Sequence, residues 1–249
     1  MINQITEDII DYELITDHVK KPGDNDVHVW EFNRWAYNEQ LEYSHYLLNE
    51  SEQCRAKRFR FREDHDLFVL GRYFTKIMLA HYTGNIHQNV NIDTDLYGKP
   101  TSGMNLFFNI SHSGDQLLLG FSNTPIGVDI ERNNPDVDIV KIAENHFSEA
   151  EIKQLMNSQG AVRADIFFEI WTKKEALIKG IGNGLSIPLQ DFNVINSNEK
   201  VLWEFPTENN YGNWYVQNID TKHGFKAAFA TQNQIAKLSY FSLDNLKRY

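Results

Sequence analysis

The chain has 249 residues, of which 41% are hydrophobic and 23% charged, a balance typical of a soluble globular protein that is long enough to bury a core. Its formal net charge of −10 argues against general nucleic-acid binding, which requires a basic surface. No apolar run reaches transmembrane length, no signal pattern opens the sequence, and the single cysteine, Cys54, excludes an intrachain disulfide, so we expect a cytoplasmic protein without a membrane segment.

The first quarter of the chain predicts a strand, two short helices and a basic segment. Alternating residues from Val27 predict the strand, residues 41–48 predict a helix, and Ser51 is a candidate N-cap for the next helix. A dense basic run follows, which consists of Arg55, Lys57, Arg58, Arg60 and Arg62. Such a run is usually a solvated helix face, but in so acidic a chain it also suggests a phosphate-binding patch.

The longest helical pattern runs from Asp64 to Tyr82, and Gly84 is positioned to end it. Its apolar residues recur at helical spacing, so we expect the central core helix of the N-terminal half here. Gly71 lies in the middle of the pattern, where a glycine costs about 1 kcal/mol relative to alanine and therefore indicates close packing.

A turn is predicted at residues 96–100, which read Leu-Tyr-Gly-Lys-Pro. Its lysine, Lys99, could reach a phosphate or lie over an adenine, or it could be a solvated turn residue. The spacing alone leaves these alternatives open.

Two strands are predicted at residues 106–110 and 117–121, on either side of a polar loop at 111–114. His112 in this loop could contact a phosphate oxygen, with Ser111 beside it. The alternative is a structural or exposed histidine, which is more common for a lone histidine. The loop leads directly into the strands that precede an acidic segment, and this proximity favours the functional interpretation.

That acidic segment, residues 126–131, alternates between apolar and acidic side chains, as a half-buried strand does. Asp129 and Glu131 then share one face with Cα atoms about 6.5–7 Å apart, which suits two oxygen ligands of one hard cation. Together with a helical carboxylate, Glu175, they would form a Mg²⁺ site open to phosphate oxygens. The alternative is an acidic strand that faces solvent.

A helix over residues 167–179 organises the second half, and Gly180 is expected to end it. Trp171, Glu175 and Lys179 are four residues apart and therefore share one face. A carboxylate between a tryptophan and a lysine is a plausible active-site arrangement. The alternative is an exposed Glu-to-Lys pair, worth only a few tenths of a kcal/mol.

Shorter elements are predicted on both sides of this helix. Helices at residues 139–146 and 148–156 precede it, the second with a capping box formed by Ser148 and Glu151. Strand-like runs follow it at residues 192–195, 201–205, 214–219, 225–230 and 238–241. The second half thus repeats the order of the first, which is strand, helices, strands.

Five short motifs resemble those of 4′-phosphopantetheinyl transferases. The two signature motifs are Gly127–Glu131 (GVDIE) and Trp171–Ala176 (WTKKEA). The three upstream motifs are Arg58–Phe61 (RFRF), Tyr97–Pro100 (YGKP) and Asn109–Ser113 (NISHS). Each motif alone is short, but their common order makes the resemblance strong, and the chain length resembles the Sfp type of the family.

The resemblance implies an α+β fold of two similar subdomains, residues 1–122 and 123–249, in a pseudo-twofold arrangement with the active site in the cleft between them. It also implies transfer of the 4′-phosphopantetheine group from coenzyme A to a serine of an apo acyl or peptidyl carrier protein, with Mg²⁺ required and 3′,5′-ADP released. We expect a monomer that binds coenzyme A and a carrier protein, and neither nucleic acid nor membrane.

The resemblance also assigns roles to residues. Asp129, Glu131 and Glu175 would hold Mg²⁺. Glu175 could also be the base, and Lys179 would steady the diphosphate. The contacts to coenzyme A would come from Arg55, Lys99, Pro100, Ser111, His112 and Lys174. Glu52 lies where a second basic residue near the 3′-phosphate is expected, so this contact departs from the family pattern.

Two other classes of protein fit the same residues. A Mg²⁺-dependent phosphohydrolase could use three carboxylates and a histidine, with water as the nucleophile. A non-catalytic module that binds coenzyme A or a carrier protein could use the same fold, but it would not require the three carboxylates.

Overall fold

The computed structural model describes residues 19–195, 200–203, 211–222, 224–233 and 237–242. The strands are β1 (Asp26–Asn33), β2 (Asp93–Thr94), β3 (Pro100–Thr101), β4 (Phe107–Ser113), β5 (Gln116–Ser122), β6 (Ile126–Arg132), β7 (Phe192–Asn193), β8 (Leu202–Trp203), β9 (Tyr215–Ile219), β10 (Phe225–Thr231) and β11 (Lys237–Ser242). The α-helices are α1 (Asn38–Ser44), α2 (Glu50–Ala56), α3 (Arg62–Thr83), α4 (Ile139–His146), α5 (Glu149–Met156) and α6 (Gly160–Ile181). Short 3-10 helices are Arg34–Tyr37, His45–Leu47, His87–Asn89, Gly184–Ser186 and Leu189–Asp191.

Two sheets and two long helices form four layers, in the order α3, first sheet, second sheet, α6. The first sheet has the strand order β11-β1-β5-β4, and the second has the order β6-β10-β9. Trp30 and Phe32 of β1 pack towards α3, whereas Val27 and Val29, which point to the other face of the strand, pack against β6 of the second sheet. This alternation is the period of a strand that is buried on both faces. The mixed α+β fold expected from the sequence is confirmed.

The predicted core helix of the N-terminal half is confirmed as α3, and Gly84 ends it in the left-handed conformation with φ of 67°. A Cβ atom on Gly71 would lie 3.6 Å from Leu117 of β5, an ordinary contact distance. Gly71 therefore faces the sheet, but a Cβ atom would fit there, so the close packing that the sequence pattern indicated does not require a glycine at this position.

The predicted end of the helix at Gly180 is wrong. Helix α6 continues to Ile181, and Gly182 caps it with φ of 90°. Gly180 serves another purpose, because a Cβ atom there would lie 2.7 Å from the Trp214 ring and 3.1 Å from the backbone nitrogen of Gly127. A Cβ atom on Gly127 would lie 2.0 Å from the carbonyl oxygen of Ala176. The two glycines thus let the backbones of α6 and β6 touch.

The cap predicted at Ser51 is also wrong by two residues. Asn49 is the N-cap of α2, and its side chain accepts from the backbone nitrogen of Glu52, whose carboxylate accepts from the backbone nitrogen of Asn49. The sequence offers Asn and Ser two positions apart, and the reciprocal bond to Glu52 decides between them because it requires a three-residue spacing. The capping box predicted at Ser148 and Glu151 is confirmed.

Side chains join the edges of the two sheets. The backbone nitrogens of Val128 and Arg132 in β6 donate to Asn109 Oδ1 (2.9 Å) and Ser113 Oγ (3.1 Å) in β4. Between these two bonds, Ile130 donates to a third side chain of β4, at position 111 (3.4 Å). The predicted polar loop at 111–114 is therefore wrong in its first three positions. These positions belong to β4. The side chains of Asn109, Ser111 and Ser113 take the place of a backbone ladder between β4 and β6, which lie side by side without pairing.

The last described strand, β11, belongs to the first sheet, although it follows the strands of the second sheet in the sequence. β11 pairs in parallel with β1 of the first sheet, in a register that sets Val27 opposite Leu238. The predicted runs at 192–195 and 201–205 contain the two-residue strands β7 and β8, and residues 204–205 lie outside the described residues. The division of the chain into two subdomains at residue 122 stays a prediction. The pairing of β11 with β1 places this C-terminal strand in the first sheet. Within the described residues, no helix is long and apolar enough to cross a membrane.

Candidate active site

A cavity of about 420 Å³ opens beside the C-terminal half of α6. Four of the predicted site residues line it, namely Lys99, Pro100, Glu175 and Lys179, together with Asn109 of β4. The motifs on the 97–100 turn, on β4 and on α6 therefore meet at one place, although up to 80 residues separate them in the sequence.

Lys179 holds this site together. Its Nζ atom donates to Asp129 Oδ1 (2.5 Å) on β6 and to Ser111 Oγ (2.9 Å) on β4. Glu175 lies one turn earlier on the same face of α6, as the sequence spacing indicated. The close contact between the Gly127 and Gly180 backbones sets the distance at which this lysine reaches the acidic strand.

The three carboxylates share an unfavourable electrostatic environment. Burial raises the pKa of Asp129, while the charge of Lys179 opposes the shift. Burial and the neighbouring Asp129 raise the pKa of Glu131, whose Oε2 accepts from Ser113 Oγ (2.7 Å). Burial, reinforced by Asp129 and Glu131, raises the pKa of Glu175 to about 7.

A divalent cation would relieve that environment. Asp129 is 2% exposed, and its Oδ2 atom has no hydrogen-bond partner among the described residues. Carboxylate oxygens are the ligands that Mg²⁺ prefers, so the donor chemistry fits. In the described part of the chain, however, no three His, Cys, Asp or Glu side chains are grouped closely enough to hold a metal ion. The predicted set of Asp129, Glu131 and Glu175 therefore stays a prediction, and its members would have to converge on an ion.

Ser111 and His112 lie on opposite faces of β4. The Ser111 hydroxyl donates a hydrogen bond to Asp129 Oδ1 (2.8 Å) and accepts from Lys179 Nζ and from the backbone nitrogen of Ile130. A hydroxyl group can donate one hydrogen bond and accept two, so it has no further bond to offer. Its predicted phosphate contact would have to displace one of these partners. Part of the His112 side chain reaches solvent, but neighbouring protein atoms remove part of the hydration of its imidazole, and this burial, followed by the charge of Lys179, lowers its pKa.

Lys99 spans the base of the cavity. Its Nζ atom donates to the carbonyl oxygen of Gly180 (2.6 Å) and weakly to that of Ile126 (3.4 Å). Burial lowers its pKa to about 8, against the opposing charge of Asp95. The ammonium group thus ties the 97–100 turn to the end of α6. These two bonds use two of the three donors of the ammonium group, so the ligand contact predicted for Lys99 stays a prediction.

Comparison with known proteins agrees with the motifs. Residues 33–123 match the family described as 4′-phosphopantetheinyl transferase, N-terminal, and residues 125–230 match the 4′-phosphopantetheinyl transferase superfamily. The 4′-phosphopantetheinyl transferase Sfp of Bacillus subtilis is 32% identical over 180 residues, which cover 71% of this chain and 78% of that protein. The chain belongs to the 4′-phosphopantetheinyl transferase superfamily and is of the Sfp type.

Two other relatives are also named 4′-phosphopantetheinyl transferases. The transferase gsp of Aneurinibacillus migulanus is 34% identical over 174 residues, or 70% of this chain and 68% of its own. The transferase HetI of a Nostoc species is 32% identical over 168 residues, or 65% of this chain and 71% of its own. Among solved structures, the Thermotoga maritima holo-[acyl-carrier-protein] synthase covers 45% of this chain and 64% of its own at 20% identity, with a TM-score of 0.36. That last likeness is too slight to carry an argument.

In this transferase, Lys174 does not take the place that its motif predicts. Its side chain is fully buried and its Nζ atom lies 2.8 Å from Glu151 Oε2. The same atom donates to the carbonyl oxygens of Leu189 (2.6 Å) and Phe192 (2.8 Å). The predicted direct contact with coenzyme A is therefore wrong in this structure, because the ammonium group is enclosed in the core around α6.

The basic run does not form a helix face. Arg55 lies in the last turn of α2, Arg62 begins α3, and residues 57–61 between the two helices form a loop. A cavity of about 780 Å³ lies on one side of this loop, lined by Arg55, Arg58 and a further arginine of α3, Arg72. Sequence reasoning missed Arg72, although its place within the apolar pattern of α3 was a signal, since a buried arginine requires a partner.

Proposed function

We propose that this transferase moves the 4′-phosphopantetheine group of coenzyme A onto a serine hydroxyl of an apo acyl or peptidyl carrier protein and releases 3′,5′-ADP. The observation that supports this reaction best is the pair of Glu175 and Lys179 in one cavity. A carboxylate with a pKa of about 7 beside a cation offers a proton acceptor and an anchor for a diphosphate.

Glu175 would take the proton that the serine hydroxyl loses as it attacks the phosphorus atom. A base is most effective when its pKa is near the working pH, because it is then both ionised and basic enough. Burial and the acidic neighbours of Glu175 provide this tuning. Microscopically, one proton passes from the serine oxygen to the carboxylate as the new phosphorus–oxygen bond forms and the bond to the ADP oxygen breaks.

Lys179 would hold the diphosphate through its charge. Its side chain is about one-third exposed and its ammonium group pairs with Asp129, so a phosphate oxygen could share or replace that partner. A charge-assisted hydrogen bond to a phosphate oxygen contributes about 1.5–3 kcal/mol. The ammonium group of Lys179 would then contact both Asp129 and the diphosphate.

Asp129, Glu131 and Glu175 would hold Mg²⁺, which supplies neutralisation of the diphosphate charge when bound. The buried, unpartnered Asp129 Oδ2 supports this assignment. Glu175 would then have two opposing tasks, because a carboxylate that binds a cation is a weaker base.

Coenzyme A would lie across the contacts between the two sheets, in a cleft between pseudo-twofold subdomains. Lys99 and Pro100 would border the adenine, Ser111 and His112 the phosphates, and Arg55 the 3′-phosphate. The reaction would take place in the cytoplasm, where a cysteine such as Cys54 stays reduced, and the enzyme would be a monomer.

The test is to incubate the protein with coenzyme A, Mg²⁺ and a panel of apo carrier proteins, and to weigh the products by mass spectrometry. A carrier that gains one phosphopantetheine group, with matching release of 3′,5′-ADP, is the expected result. Hydrolysis of coenzyme A without a modified carrier would instead indicate a phosphohydrolase. Binding of coenzyme A without turnover on any carrier would indicate a non-catalytic module.

A further inference from the structure

The cavity beside the basic run contains a buried guanidinium with an unused donor. Arg72 is 5% exposed, lines the cavity, and its Nη1 atom has no hydrogen-bond partner among the described residues. Its nearest counter-charge is Glu52, with 3.7 Å between Arg72 Nε and Glu52 Oε1, which is an ion contact without a good hydrogen bond. A buried guanidinium donor without a partner is unfavourable unless a ligand accepts a hydrogen bond from it.

One of the two carboxylate oxygens of Glu52 is bound to other residues. Its Oε2 atom accepts from Lys76 Nζ (2.7 Å) and from the backbone nitrogen of Asn49 (2.9 Å). Lys76 in turn donates to the carbonyl oxygen of Leu47 (2.6 Å). The carboxylate at position 52, where the family pattern expects a cation, therefore binds a lysine from α3 through Oε2. Its other oxygen, Oε1, has no hydrogen-bond partner among the described residues and lies 3.7 Å from Arg72 Nε, so Arg72 keeps an ion contact with Glu52 while its Nη1 donor stays available to the cavity.

A second guanidinium stands close to Arg72. Both guanidinium groups lie near the Phe68 ring, whose centroid is 5.2 Å from Arg55 Cζ and 5.4 Å from Arg72 Cζ. Burial lowers the pKa of Arg72, Glu52 opposes the shift, and the charge of Arg55 adds to it, which is the repulsion expected of two cations at close range. Glu52 and Asp93 are the acidic residues that line this cavity, against the three arginines at positions 55, 58 and 72.

We propose that Arg72 is a specificity-determining residue that, together with Arg55, binds a phosphate monoester in this cavity and so selects coenzyme A over dephospho-coenzyme A. The assignment rests on the proposed function for the identity of the ligand. The anion site itself rests on the geometry of Arg72, Arg55 and Glu52. Glu52 does not abolish the phosphate site in this chain, because the missing cation comes from α3. A planar guanidinium fork suits a phosphate better than a point charge does.

The first measurement is the dissociation constant of coenzyme A and of dephospho-coenzyme A, by calorimetry without a carrier protein. Arg72→Gln should weaken coenzyme A by about 10- to 100-fold, the value of one charge-assisted contact, and change dephospho-coenzyme A by less than about 3-fold. Arg72→Lys should fall between the parent and Arg72→Gln, because the charge remains and the fork is lost. Arg60→Gln is the matched control, since Arg60 belongs to the same run but is not among the residues that line this cavity.

Equal losses for both ligands, or no loss for coenzyme A in a folded Arg72→Gln, would overturn the proposal. A parent protein that binds coenzyme A and dephospho-coenzyme A with equal affinity would also overturn the proposal, but it would not count against the proposed transferase activity. A parent that binds neither ligand would instead count against the proposed function, and the anion site is then decided by a second measurement that needs no nucleotide.

Cys54 provides that measurement, because its free thiol is exposed on the same cavity. The probes are an anionic disulfide, 5,5′-dithiobis(2-nitrobenzoate), and a neutral one, 4,4′-dithiodipyridine. At low salt the parent should favour the anionic reagent, and Arg72→Gln should reduce the ratio of the two rates several-fold. An unchanged ratio in a variant with native circular dichroism would show that the charge of Arg72 does not act in the cavity, and would end the proposal.

Discussion

Glu175 combines two properties that oppose each other, a raised pKa that suits a base and a place beside a proposed metal site. Glu175→Gln keeps the shape and one oxygen atom but removes the charge. If Glu175 is the base, turnover should fall by roughly 10²–10⁴-fold and stay low at saturating Mg²⁺. The affinity for coenzyme A should change little. Steady-state kinetics across a Mg²⁺ titration measure both effects, and Glu144→Gln, at an exposed residue of α4, is the control.

The pH profile adds a second readout for the same variant. The base acts when ionised, so turnover in the parent should fall as pH drops through the pKa of Glu175, which is about 7 without a bound cation and lower with one. This acidic limb should flatten or move in Glu175→Gln. Full rescue by Mg²⁺ together with an unchanged limb would exclude Glu175 as the base and leave it as a metal ligand.

Single residues differ in how well the sequence could place them. Glu175 and Lys179 follow from the four-residue period of a helix, and Asp129 follows from the alternation of a strand. Lys174 could not be placed by its motif, because the same period puts it on the apolar stripe of α6. A lysine on such a stripe must be paired when buried, but its partner, Glu151, lies on another helix and could not be predicted.

At the scale of one element, the pair of Lys174 and Glu151 locks α6 to α5. Removing one partner leaves a buried charge, so Lys174→Met should lower the free energy of unfolding by about 3–5 kcal/mol. The neighbouring Lys173→Met is the matched control. Lys173 pairs with Glu169 one turn away, which is worth about 0–1 kcal/mol. Urea unfolding measures both.

Coenzyme A binding separates this structural role from the ligand contact that the motif suggested. The folded fraction of Lys174→Met should bind coenzyme A with the affinity of the parent. A stable Lys174→Met that has lost the ligand would contradict the structural assignment and restore Lys174 to the binding site.

The packing of α6 on β6 depends on glycines, and a substitution should show this. Gly180→Ala would bring a Cβ atom to 2.7 Å from Trp214, so we expect a loss of about 1–3 kcal/mol from overpacking. Gly71→Ala on α3 is the matched control. There the nearest side-chain atom lies 3.6 Å away, and the gain in helix propensity should make the change neutral or stabilising by up to about 1 kcal/mol. Equal thermal shifts in both variants would contradict the close contact between α6 and β6.

At the scale of the whole molecule, local patterns predicted the elements but not their assembly. The periodicities of α3, α6 and β6 follow from residues that are neighbours in sequence. The parallel pairing of β11 with β1 joins segments about 200 residues apart, and a strand pattern does not name its partner. The contacts between β4 and β6 were missed for a related reason, since polar side chains such as Ser111 and Ser113 are typical of a loop when their backbone partners are unknown.

The packing of α3, β1 and β11 buries a histidine, His28, whose protonation should affect the stability of the folded protein. His28 of β1 is 5% exposed and contacts the rings of Tyr82 on α3 and Phe241 on β11. The Tyr82 hydroxyl accepts from Trp30 Nε1 (2.9 Å), so its own proton can be donated to His28 Nδ1 (2.8 Å). Burial lowers the pKa of His28 from 6.5 to about 4, while Asp26 opposes the shift and Lys237 adds to it.

The sign of the resulting pH dependence follows from this shift. The unfolded chain takes up a proton on His28 as pH falls below 6.5, whereas the folded chain does so only near 4, so the stability is lost between these values as pH falls. The loss at pH 5 should be about 2 kcal/mol. The carboxyl groups of the active site have raised pKa values and contribute with the opposite sign, so the difference between parent and His28→Gln isolates the histidine. We expect a shallower loss of stability below pH 6.5 in His28→Gln by urea unfolding, and a parent-like slope in His146→Gln, at an exposed histidine. Parallel curves for parent and His28→Gln would mean that His28 is protonated equally in both states, and that the packing of α3, β1 and β11 does not exclude its charge.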